Sequence, residues 1–169
     1  IAVRTRLWLG GVIDQRRDRT LIRQMAEMVR SCAKSLGVVI CVDGFAAYVK
    51  AFQSVFSHKE RIGKRNHCKL VTDAGLLIGQ VIKNYSGRRL VEVTKRAVLG
   101  SAEAIRASLV EKGCGNDINT SYIERLNATF RARFAGLVRR SRAIAHTQQL
   151  LEAGMWLVGC TYNLCKAHH

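Results

Sequence analysis

Two acidic residues stand where they could do chemistry. Asp43 closes the apolar run Gly37-Val-Val-Ile-Cys-Val-Asp43-Gly44, and Glu124 is the only acid from Asn119 to Arg142, a stretch holding six arginines (125, 131, 133, 139, 140 and 142). Carboxylate oxygens are hard ligands suited to divalent cations. A lone Glu among cations stays ionised and ready to bind a metal. Asn127 and Arg131 follow Glu124 by three and seven residues, so on a helix they share its flank. Each acid also has a plainer reading. Ser121-Tyr-Ile-Glu124 fits the S-x-x-E capping box, in which Glu reaches back to the N-cap amide. Asp43 fits the N-cap of a helix that follows it.

The elements that must position these residues follow from hydrophobic period. Ile123, Leu126, Phe130, Phe134 and Leu137 fall on one helical stripe starting near Asn119. Residues 37–43 have the continuous apolar character of a buried central strand, which places Asp43 at its C-terminal end, where α/β sheets usually carry their sites. Before it, residues 6–13 read as a strand ending at Asp14, and 18–34 as a helix with Asp18 as its cap. After it, 45–56 reads as a helix and 57–72 as a basic loop. Strands at 76–83 and 89–93 form a hairpin around Ser86-Gly87, with Lys83, Arg88 and Arg89 near its tip. Helices at 102–112 and about 146–165 complete the expected α/β domain, 1–169 as a single unit.

With 28 Lys and Arg against 12 Asp and Glu, the formal charge is +16 and the sequence pI about 10.3. Such an excess strains a compact fold unless a polyanion neutralises it, so nucleic acid is the expected partner. No apolar run approaches the roughly 18 residues of a membrane span, and the first residues do not form a signal peptide. A cytoplasmic, nucleoid-associated protein with no membrane partner is expected. The six cysteines lack a paired framework and are expected to be reduced and buried as small hydrophobes. Cys160, Cys165, His168 and His169 invite a zinc reading, but no second C-x2-C pair completes it. The chain opens on Ile and contains no proline, features that suggest a fragment or decayed copy.

Three segments together, Val-Asp-Gly-Phe-Ala-Ala-Tyr (42–48), Asn-Thr-Ser-Tyr-Ile-Glu-Arg-Leu-Asn (119–127) and Tyr-Asn-Leu-Cys-Lys-Ala-His (162–168), resemble bacterial insertion-sequence transposases of the DDE class. The resemblance implies an RNase H-like mixed sheet flanked by helices, with a helical C-terminus. It further implies three carboxylates around two Mg²⁺ or Mn²⁺ ions that cut and rejoin double-stranded DNA, in a homo-oligomer that joins transposon ends to target. By matching motif, Asp43 and Glu124 correspond to the second and third catalytic, metal-binding carboxylates, with Asn127 in support. The DNA-binding set is Lys64 and Arg65 in the basic loop, Lys83 in the hairpin, and Arg125, Arg131, Arg133, Arg139 and Arg140. If residues 6–13 are the last strand of the family's opening meander, the first catalytic Asp lies upstream of Ile1, and Asp14 is a turn residue. Two rivals remain: a non-catalytic basic nucleic-acid-binding protein, and an RNase H-type nuclease.

Overall fold

The structure is a computed structural model that describes residues 1–16, 18–35, 37–62, 67–138 and 147–167. Helix α1 (Arg19–Cys32) leads to strand β1 (Val38–Asp43) and helix α2 (Ala46–Val55). A hairpin of β2 (Ser57–Ile62) and β3 (His67–Thr72) follows, then the long strands β4 (Leu76–Ser86) and β5 (Arg89–Leu99). Helix α3 (Ala102–Glu111), helix α4 (Ser121–Arg133), a 3₁₀ turn (Ala135–Leu137) and helix α5 (Gln148–Cys165) complete the chain. The main sheet has the order β1-β4-β5, with β1 parallel to β4 and β5 antiparallel to it. The chain is thus a mixed α/β protein with a mixed sheet, flanking helices and a C-terminal helix.

Alternation along β1 sends its side chains to two cores. Ile40 and Val42 pack with Ala26 of α1, Phe52 of α2, Phe56 and Ile78. Val39 and Cys41 face the opposite side, where Ile105 and Leu109 of α3 meet Val81 and Ile118. Helices therefore cover both faces, and that is why β1 reads as an uninterrupted apolar run. The helix starts are set by side-chain caps: Asp18 accepts the Leu21 amide proton at 2.9 Å, as expected, and Ser101 accepts that of Ala104 at 3.1 Å. A third core joins Leu126 and Phe130 of α4 to Met155, Val158 and Tyr162 of α5, with Trp8 between them.

Several expectations need correction. Residues 6–13 form no strand. The Trp8 amide donates to Asn163 Oδ1 and Asn163 Nδ2 donates to the Trp8 carbonyl, each at 2.9 Å, so a side-chain amide on α5 takes the place of a neighbouring strand. Arg6 just before it has a left-handed backbone (φ 59°) and stacks over the Tyr122 ring at 3.8 Å. Residues 57–72 hold a two-stranded hairpin instead of a loop; it is anchored where the buried Asp73 carboxylate meets His58 Nδ1 at 2.9 Å. Helix α4 stops at Arg133, so Phe134 and Leu137 reach the core from the turn beyond it, and Ile123 remains 36% exposed. Cysteines 32, 68, 160 and 165 are exposed, and only Cys41 and Cys114 are partly buried. The small-hydrophobe account fits those two alone. Among the described residues, no helix is long and apolar enough to cross a membrane.

Candidate functional site

Asp43 is the last residue of β1, paired in register with Val81 of β4. Next to Val81 lies Gln80, wholly buried, whose Nε2 donates to the Asp43 carbonyl at 2.9 Å. The Gln80 Oε1 in turn accepts from Arg96 Nε at 2.9 Å and Nη2 at 2.6 Å. One buried amide therefore ties the end of β1 to β5 across β4. The Asp43 carboxylate accepts the Phe45 amide proton at 3.0 Å, steadying the turn into α2, although Phe45 itself is the N-cap residue.

Glu124 sits in the first turn of α4, where a carboxylate is favoured by the exposed amides and the helix dipole. It does not form the capping box with Ser121. The N-cap is Thr120, a buried residue whose hydroxyl donates to Glu124 Oε1 at 2.8 Å. Lys83 Nζ of β4 donates to the same oxygen at 2.5 Å. Hydrogen bonding from Lys83, then from Thr120, outweighs slight burial and holds the Glu124 carboxyl below its ordinary range. The expected ionisation is present, but its source is a lysine on a strand and a threonine, not the arginines of the helix.

Asp43, Gly44 and Phe45, Val81 to Lys83, Thr120 and Glu124 line one pocket of about 450 Å³. Two sequence-distant acids thus open into the same space. A Mg²⁺-type ion is commonly held by one or two carboxylates with water and substrate phosphate oxygens completing its shell. Asp43 and Glu124 bring two donors of this chemical type to the pocket. Among the described residues no three His, Cys, Asp or Glu side chains converge on a metal position, so a two-metal centre needs more acid than these residues bring together.

The other expected residues are dispersed. Asn127 and Arg131 line a separate cavity of about 600 Å³ between the N-terminal segment, α1 and α4. Arg125 and Arg133 are exposed on α4. Lys64, Arg65, Arg139 and Arg140, with His168 and His169 of the zinc reading, lie outside the described residues. Gln80, Thr120 and Arg96 were not expected from the sequence. A glutamine inside the apolar run Leu76-Leu-Ile-Gly-Gln80-Val-Ile is the one visible sign of the first, because a buried amide must find partners.

Comparison with protein-family models, curated proteins and solved structures finds no match for this chain.

Proposed function

We propose that the chain is the catalytic part of a DDE-class transposase with an RNase H-like fold, acting on double-stranded DNA with Mg²⁺ or Mn²⁺ held by Asp43 and Glu124. The observation that carries this reading is the shared pocket: an acid at the C-terminal end of a sheet strand and an acid on a helix line the same space, with Lys83 and Thr120. When bound, the ion supplies Lewis-acid polarisation of a phosphate oxygen and lowers the pKa of a bound hydroxyl. The protein's own residues hold the ligands in place: Gln80 fixes the backbone of Asp43, and Thr120 orients Glu124. Arg125, Arg131 and Arg133, with Arg88 and Arg89 at the tip of the β4–β5 ribbon, offer exposed cations to the DNA backbone. A homo-oligomer that brings two DNA ends together goes with this reading.

The test is Mn²⁺ binding by calorimetry together with Mn²⁺-dependent cleavage and joining of labelled DNA. Binding and turnover are both expected to vanish in Asp43→Asn and Glu124→Gln, with DNA affinity in metal-free buffer retained. Unchanged Mn²⁺ binding in both variants sinks the assignment. Cleavage without joining selects an RNase H-type nuclease. A second reading, a non-catalytic nucleic-acid-binding protein, is favoured by the Lys83–Glu124 pair, which already neutralises one of the two acids. That reading expects DNA affinity indifferent to divalent ions and no Mn²⁺ binding at all.

A further inference from the structure

We propose that Lys83 is the resident counter-ion of this pocket: its ammonium neutralises Glu124 through Oε1, so a divalent cation that takes Glu124 as a ligand binds in competition with it. This inference rests on the reading of Glu124 as a metal ligand.

Lys83 lies on β4 opposite Val93 of β5, so its Cα is fixed by the sheet and not by a loop. It follows Val81 and Ile82, which line the same pocket, and its Nζ meets Glu124 Oε1 at 2.5 Å. Its side chain is 32% exposed and that of Glu124 50%. The pair is therefore partly withdrawn from water, and its attraction is less screened than that of a fully exposed pair. Among the described residues lining the pocket, Lys83 is the one cation; Arg125, Arg131 and Arg133 on the nearby helix do not line it. A lysine ammonium is a compact point charge on a flexible stem. It can balance a carboxylate as a metal does, yet swing aside when one arrives. Thr120 donates to the same oxygen and sits at the helix N-cap, so Glu124 keeps its orientation after the lysine leaves. Released, the ammonium stays on β4 at the pocket, a cation available to an anionic ligand.

The experiment is calorimetric Mn²⁺ titration of the wild-type chain, Lys83→Met, Lys83→Gln, Lys95→Met and Glu124→Gln, with thermal melts to establish that each is folded. Lys95 is the control cation: it pairs with Asp117 at 2.8 Å on the same β4–β5 sheet and lies outside the pocket. Removing Lys83 is expected to tighten Mn²⁺ about tenfold, the scale of deleting a unit charge at contact distance in a partly screened site. Lys95→Met should leave the affinity within about twofold, since its charge is already paired with Asp117 and it does not line the pocket. Equal tightening in Lys83→Met and Lys95→Met would reduce the effect to net charge and overturn the proposal. So would unchanged or weaker binding in both Lys83 variants while Glu124→Gln still abolishes it; in that case the metal-site reading survives alone. Absence of Mn²⁺ binding in every protein overturns both.

Discussion

Asp43 owes its position to a residue with no chemistry of its own. The Gln80 side chain is wholly buried and satisfied at both ends, by the Asp43 carbonyl and by the Arg96 guanidinium. Gln80→Leu removes the hydrogen bonds to the Asp43 carbonyl and from the Arg96 guanidinium, and losing such a part-buried polar partner costs about 1–3 kcal/mol. The loss should appear as a lower urea midpoint. Gln80→Glu separates the two contacts, because a carboxylate still accepts from Arg96 but cannot donate to a carbonyl. It is expected to be destabilised as well, and to weaken Mn²⁺ binding through the displaced Asp43. Wild-type stability in Gln80→Glu would show that Arg96, not the end of β1, is what Gln80 serves. Glu124 teaches a related lesson at the same scale. Its neighbours in sequence are arginines, yet its hydrogen bonds come from Thr120 and from Lys83 on β4.

Among the elements, β1, α1 and α3 were legible because their signals are local. A continuous apolar run ending in Asp marks a strand covered on both faces, and Asp18 marks a helix start by a bond only three residues long. The segment around Trp8 was not legible, since its apolar run says that it is buried and not what pairs with it. Its partner is the Asn163 amide, far away in sequence. The β2–β3 hairpin was hidden by its own charges, which read as a solvated loop. Trp8 docking also depends on Gly159 of α5, where an added Cβ would lie 1.9 and 2.0 Å from ring carbons of Trp8. Gly159→Ala must therefore expel the indole. The expected cost is that of emptying a large aromatic site, about 3–5 kcal/mol, with a red shift in tryptophan emission. Gly37→Ala, where nothing lies within 4 Å, should change stability by no more than about 0.5 kcal/mol. Similar melting curves for the two variants would mean that Trp8 is not held against α5.

For the whole molecule, a formal charge of +16 on 169 residues is a standing source of self-repulsion. The described cations do not gather into one pocket. They are spread over the chain; among them Arg125, Arg131 and Arg133 on α4 and Arg88 and Arg89 on the β4–β5 ribbon are exposed, while Lys83 is turned inward to Glu124. A surface of this kind suits a long polyanion that touches many separated charges. Each phosphate neutralised on duplex DNA contributes about −0.9 to the slope of log affinity against log salt. Binding of a labelled duplex, followed by fluorescence anisotropy over a salt series in metal-free buffer, should therefore give a steep linear dependence. Arg131→Gln and Arg133→Gln should each make the slope shallower by about one unit. Neither change should shift the thermal midpoint of the free protein downward, because exposed arginines in a cationic field repel more than they hold. In low salt, duplex DNA should raise that midpoint, since a ligand that binds only the folded state stabilises it and also relieves the repulsion. High salt should erase the rise. If the slope is shallow, or persists undiminished in both arginine variants, the charge excess has another purpose and α4 is not the face that meets DNA.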